Sequence, residues 1–188
     1  MKITPRARCT SGLPDRRLGV TLIEMLMVVV VIGILSGMAA SRLDWVRYRA
    51  DSISRGVMAE LSQAHRLSVS LQINVRVTAV GGTRLTIHED ANNDGTINNG
   101  ERVMTHVLDH GFRLLQGTAP AVPVPDDPTE LTALVFHRDG SASRGGTFYI
   151  ASPATDPTCR YCRAVSVSRG TGRVVWYTLA TGTWRRGN

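Results

Sequence analysis

The sequence predicts an α+β protein: one long N-terminal helix, apolar in its first half and amphipathic in its second, packed on antiparallel β-sheet. Three observations predict it. The 17 residues from Met25 to Ser41 hold no charge. From Leu43 to Leu71, apolar residues recur at steps of three and four, the stripe of an amphipathic helix. At Ile73 the period drops to two, and short alternating runs continue toward the C-terminus.

The apolar run is rich in Leu, Ile, Val and Met, broken only by Gly33 and Gly37. It is about long enough to cross a bilayer core as one helix. A buried core helix would need a larger surrounding protein than this chain supplies, because such a helix must be covered on every side. A secretory signal peptide would end in small residues, and Ala39, Ala40 and Ser41 meet that description.

The residue that discriminates is Glu24. A carboxylate at membrane depth costs several kcal/mol unless paired, and so points to function. Gly19-Val20-Thr21-Leu22-Ile23-Glu24 resembles the prepilin signature of type IV pilins and type II secretion pseudopilins. The resemblance implies cleavage by prepilin peptidase between Gly19 and Val20, and N-methylation of Val20. It makes Glu24 the fifth mature residue, with a role in assembly. The family's usual first residue is Phe; Val20 departs from it.

Residues 1–19 then form a leader. Lys2, Arg6, Arg8, Arg16 and Arg17 against Asp15 give it +4 of the total charge of +7. Positive charge ahead of a spanning helix holds that end in the cytoplasm. The expected placement is therefore single-pass in the inner membrane, N-terminus cytoplasmic and C-terminal domain periplasmic. The mature chain is nearly balanced, so the high isoelectric point says little about nucleic acid. The expected parts are the leader (1–19), a transmembrane helix (20–41), its amphipathic continuation (42–72) and a β-rich periplasmic domain (73–188).

Cys9 leaves with the leader. Cys159 and Cys162 remain, and in an oxidising compartment an even pair reads as a disulfide. Structural zinc needs four ligands, and no second pair exists.

Leu43, Val46, Ala50, Ile53, Val57, Leu61, Ala64, Leu67 and Leu71 form the stripe. No proline or evident cap interrupts residues 20–71, which predicts one continuous helix. Strands are expected at Ile73–Ala79 and Arg84–His88, paired as a hairpin through Gly81-Gly82. Further strands are expected at Val103–Leu108, Phe112–Leu115, Leu134–His137, Thr147–Ala151, Ala164–Ser168 and Val174–Thr178. Thr118–Thr129, with Pro120, Pro123, Pro125 and Pro128, is expected as an exposed loop.

The motifs Leu134-Val135-Phe136 with Asp139-Gly140, Arg163-Ala164-Val165-Ser166-Val167-Ser168 and Gly172-Arg173-Val174 resemble the GspH/FimT family of minor pseudopilins and minor pilins. The resemblance runs from Gly19 to about Trp176. It implies a pilin-like fold, a structural part in a periplasmic filament, and other pilin or pseudopilin subunits as partners. Enzymatic activity is not expected: no Ser/His/Asp or Cys/His set is defensible by order or spacing.

Residues 90–101 fit the calcium-loop pattern D-x-[DN]-x-[DN]-G-x5-E at every fixed position. Asp90, Asn92, Asp94, Asn98 and Glu101 would supply side-chain oxygens and Thr96 its carbonyl, while Gly95 allows the turn. The bland reading is a loop whose Asn, Asp and Gly satisfy their own backbone. The five histidines are scattered and read as surface or strand residues.

The C-terminal region is basic, with Trp176, Tyr177 and Trp184 among its arginines. Stacking beside cations is how single strands are held. Some pilins of the FimT kind carry a Gly-Arg-x-Arg element for DNA. Here it reads Gly172-Arg173-Val174-Val175, without the second arginine. Arg173, Arg185 and Arg186 are the candidate DNA contacts. The preferred reading is solvated arginines with core aromatics.

Three functions fit: a minor pseudopilin of type II secretion, a minor type IV pilin in pilus assembly or DNA uptake, and a membrane-anchored periplasmic ligand-binding domain. The first is preferred.

Overall fold

A computed structural model describes residues 20–40, 44–117, 120–152, 159 and 161–187. The chain divides into two compact units, Met1–Leu43 and Asp44–Asn188.

The first unit contributes helix α1, Leu22–Ala40. Thr21 opens it: its Oγ1 accepts the Glu24 N–H at 3.3 Å. Thr21 and Glu24 thus stand at the two ends of a T-x-x-E capping signature. The large apolar side chains of α1 from Leu22 to Met38 are 48–84% exposed. Among the described residues, no helix is long and apolar enough to cross a membrane.

Among its described residues the second unit holds α2, Trp45–Leu71, and nine strands. Sheet A runs β3 (Val103–Val107), β2 (Arg84–Asp90), β1 (Asn74–Val80), β5 (Ala133–Phe136). Sheet B runs β4 (Arg113–Leu114), β6 (Gly146–Ala151), β7 (Arg163–Val167), β8 (Val174–Ala180), β9 (Thr183–Arg186). Every ladder is antiparallel, with Val77 opposite both Ile87 and Leu134 in sheet A and Val165 opposite Phe148 and Trp176 in sheet B.

Helix α2 touches β1, β2 and β5 of sheet A and β7 and β8 of sheet B. Its buried row is Ala50, Ser54, Val57, Leu61, Ala64 and Ser68. The small residues in that row allow close approach to the strands. Ser54 and Ser68 are not apolar, but each hydroxyl donates to the carbonyl three residues earlier. That removes the cost of burying an unsatisfied hydroxyl. Of the expected stripe, Ala50, Val57, Leu61 and Ala64 are buried, while Val46 and Leu71 are exposed. Full burial of Val57 or Leu61 stabilises by about 1.5–3 kcal/mol each.

The main core joins this row to Val75, Val77, Leu85, Ile87, Leu134 and Phe136 of sheet A and Phe148, Ile150, Val165, Val167 and Trp176 of sheet B. A second cluster lies on the opposite face of sheet B: Tyr149, Cys162, Ala164, Val175, Tyr177 and Trp184, with Val124. Strand β7 feeds both, and is buried along its whole length.

The structure corrects two sequence expectations and refines a third. The helix is not continuous: Asp44 is non-helical (φ −80°, ψ 84°), and its side chain accepts the Arg47 N–H to cap α2. An acid at this position is a cap signal that the uninterrupted apolar pattern obscured. The proline-rich segment is a loop, mostly exposed in its described residues, but it is tied down at a few points. Val124 is buried, Trp184 Nε1 donates to the Val122 carbonyl at 2.9 Å, and Tyr149 Oη to the Pro128 carbonyl at 3.0 Å. It covers the outer face of sheet B. Finally, β9 escaped the sequence reading, since Thr-Trp-Arg-Arg carries a single apolar residue.

Candidate functional site

Gly19, the expected cleavage position, lies outside the described residues. Val20 is exposed, and Glu24 is exposed within the first turn of α1. A carboxylate there faces the positive end of the helix dipole, which favours it by roughly 0.3–1 kcal/mol. No described side chain in α1 is buried by the unit's own residues.

The 90–101 segment begins inside β2: Asp90 is its last residue and fully buried. On strands β1 and β2, Arg76, His88 and Asp90 point away from the side carrying Val75, Val77, Leu85 and Ile87, by simple alternation. The loop is bonded to these outer residues. Asp90 Oδ2 accepts Arg76 Nε at 2.5 Å and the Gly95 N–H at 3.1 Å. Asn74 Nδ2 donates to Asn93 Oδ1 at 2.5 Å. Gly95 has φ +78°, and a Cβ there would sit 3.2 Å from the Arg76 guanidinium carbon.

Within the loop, Asp94 accepts from the Thr96 hydroxyl and N–H through Oδ1, and from Asn92 and Asn98 through Oδ2. The Thr96 hydroxyl bond is the main cause that holds its carboxyl far below the usual range. Glu101 accepts the Ala91 and Asn98 N–H groups and His88 Nε2. The Asn98 N–H, then His88, lowers its pKa. Among the described residues, no three His, Cys, Asp or Glu side chains converge as a metal cage.

Cys159 and Cys162 are joined. The bridged turn places two contacts on α2. Tyr161 Oη donates to Asp44 Oδ2, and Arg163 Nε lies 2.6 Å from Asp51 Oδ1. Arg163 is buried, contrary to the expectation of solvated arginines.

Of the three DNA candidates, Arg173 and Arg186 line one groove with Arg169, Asp126, Asp127 and Tyr177; Arg185 is not part of it. Tyr177 donates to Asp126 at 2.5 Å. Burial, then the Asp126 carboxylate, pushes its pKa up to about 12. The aromatics serve the cores: Trp176 in the main one, Tyr177 and Trp184 in the second. Arg55 of α2 lies 5.2 Å over the Trp176 ring.

The motif glycines have structural work. Gly172 has φ +60°, and a Cβ there would lie 2.5 Å from the Gly140 carbonyl oxygen and 2.4 Å from His65 Cδ2. His65 Nε2 bonds that same carbonyl at 2.9 Å, and its ring meets Phe136 edge-on. The Asp139-Gly140 and Gly172 turns are thus packed together against α2. His65, which no spacing rule singled out, is the residue that joins them.

Set beside known proteins, the chain matches the family described as the prokaryotic N-terminal methylation motif over residues 15–40. No curated protein matches it in sequence. Its structure is similar to that of the type IV minor pilin FimU of Pseudomonas aeruginosa, with TM-score 0.51 and 18% identity over 74% of this chain and 94% of that one. The minor pseudopilin EpsH from the type 2 secretion system of Vibrio cholerae aligns with TM-score 0.47 and 19% identity, over 72% and 99%.

Proposed function

We propose that this chain, with a prokaryotic N-terminal methylation motif ahead of a minor-pilin fold, is a minor subunit of a periplasmic filament. Prepilin peptidase removes residues 1–19, Val20 is methylated, and the apolar N-terminal segment that includes α1 holds the subunit at the inner membrane before assembly. The preferred setting is the pseudopilus of type II secretion, where such a subunit starts or caps the filament. The fold likeness to FimU supports a second setting, the type IV pilus.

One observation carries the reading. Helix α1 exposes its apolar side chains all round and begins with a carboxylate, Glu24. A helix of that kind requires an apolar cover supplied from outside, by lipid first and by neighbouring helices later. Cleavage at Gly19 would create an amino group at Val20. An amine and a carboxylate on adjacent apolar helices pair strongly enough to set their axial register. The proposal assigns the protein no catalytic step; it is a substrate of the peptidase and a structural element.

The test replaces Glu24 by Leu in cells that depend on this subunit. Leader removal and membrane fractionation should remain as in the wild type. Co-purification with the other pilin-type subunits, and the secretion or piliation that follows, should be lost. Wild-type co-purification with normal secretion and piliation would defeat the reading. Deletion of the gene separates the two settings by which process stops.

A further inference from the structure

The 90–101 loop contains a buried oxygen that nothing in the assembly reading uses. Asp90 is fully buried, yet its Oδ1 has no hydrogen-bond partner. Its other oxygen, Oδ2, holds the Gly95 N–H and Arg76. A buried carboxylate oxygen left unsatisfied costs about 1–3 kcal/mol or more. Such a group calls for an ion or a water as its partner.

We propose that residues 90–101 bind a hard divalent cation, calcium, through Asp90 Oδ1. The other donors are of the right class. Asp94 offers a carboxylate and Asn92 an amide oxygen, each released to a cation by exchanging the donors it accepts within the loop, and Thr96 offers a carbonyl. All are oxygens on a flexible loop, which suits the high coordination number of calcium better than the strict octahedron of magnesium. Asp90, Asp94 and Glu101 carry three negative charges against one fixed positive charge, Arg76. Glu101 is turned toward the Ala91 and Asn98 N–H groups and His88. It joins the cation only by exchanging those donors, so the affinity should fall in the weak range of extracellular modules, about 10⁻⁴–10⁻³ M.

Arg76 makes the proposal sharp. If Asp90 exists to pair with Arg76, then removing Arg76 gains the loop nothing. If Asp90 exists to bind calcium, Arg76 is a competing cation and its removal tightens binding. Gly95 would still anchor Oδ2.

The experiment is calorimetric titration of the full chain in detergent micelles with calcium chloride, then with magnesium chloride. Saturable heat is expected for calcium, with magnesium at least about tenfold weaker. Asp94→Asn retains the shape of the loop and should weaken calcium at least about tenfold. Arg76→Gln should strengthen it severalfold. Circular dichroism of each variant establishes that it is folded; Asp94→Ala serves if Asp94→Asn does not fold. Absence of saturable heat up to about 10 mM calcium, well above the range of extracellular sites, overturns the proposal. So does a folded Asp94 variant that binds as the wild type does, or an Arg76→Gln protein that binds no more tightly. The result is independent of filament assembly, since the titration needs no partner subunit.

Discussion

Tyr161 hydrogen-bonds Asp44 at 3.1 Å across 117 residues of chain. Asp44 is also the residue whose other oxygen caps α2. The bridged Cys159–Cys162 turn therefore holds the first turn of the helix through a single carboxylate. Asp44→Ala removes both contacts. It should lower stability by about 1 kcal/mol, within the 0.5–2 kcal/mol of a lost N-cap. Tyr161→Phe keeps the cap and should cost less than half of that. Urea titration followed by circular dichroism reads both; equal losses would contradict the ordering.

The second tie is stronger. Arg163 is 3% exposed in its side chain and Asp51 28%. Removing Asp51 strands a buried guanidinium. A fully buried pair loses about 3–5 kcal/mol when one partner is removed, and the partial exposure of Asp51 puts Asp51→Ala nearer 2 kcal/mol. Adding Arg163→Met should recover much of that loss, because the orphaned charge is then gone. Urea midpoints of the single and double variants check this.

Gly172→Ala should destabilise by about 1–3 kcal/mol from its left-handed backbone alone, and more from contact with the Gly140 carbonyl. Gly170, whose added Cβ meets nothing, is the control: Gly170→Ala should be within about 0.5 kcal/mol of wild type. Thermal melting of the pair separates backbone geometry from general sensitivity of the turn.

The carboxyls of Asp94 and Glu101 titrate below their ordinary values of 3.8 and 4.5. Depressed folded-state values mean that their contribution to stability is present above the ordinary range and lost as pH falls through the depressed ones. The loop should therefore loosen below about pH 4, ahead of the cores. Amide hydrogen exchange at Ala91, Thr96 and Asn98, whose N–H groups these carboxylates accept, should accelerate there relative to the base rate. Amides of β7 should not. Uniform acceleration would contradict it.

The prepilin reading makes a prediction in mass. Protein extracted from membranes should begin at Val20 with about one added methyl group. A mature N-terminus at Met1 or beyond Ala40 would remove the basis of the assignment.

Much of this architecture is legible in sequence because two periods carry it. Ala50, Val57, Leu61 and Ala64 sit on one helical face, and Val75, Val77, Leu85 and Ile87 alternate along two strands. What escaped is held by polar chemistry. Ser54 and Ser68 occupy core positions because each hydroxyl is satisfied within its own helix. Asp44 caps the start of α2 without disturbing the apolar spacing. Arg163 looks like a surface charge until Asp51, 112 residues away, is brought to it. The proline-rich segment reads from composition as the exposed loop it is, whereas the burial of Val124 depends on Trp184, Tyr149 and Tyr177. At the candidate calcium loop the pattern named the residues. Only the structure distinguished the oxygens of Asp90, one engaged and one without a partner.

The cover over sheet B also has a consequence for the order in which the chain is made. Val122 is synthesised 62 residues before Trp184 closes the contact on its carbonyl, and Val124 follows two residues later. Through that interval their apolar surface has nothing to rest on. A stretch in that condition would ordinarily recruit strand edges from other nascent chains. Pro120, Pro123, Pro125 and Pro128 deny it the N–H groups such pairing requires. The four prolines keep the segment from zippering with a stranger until its own last strand arrives.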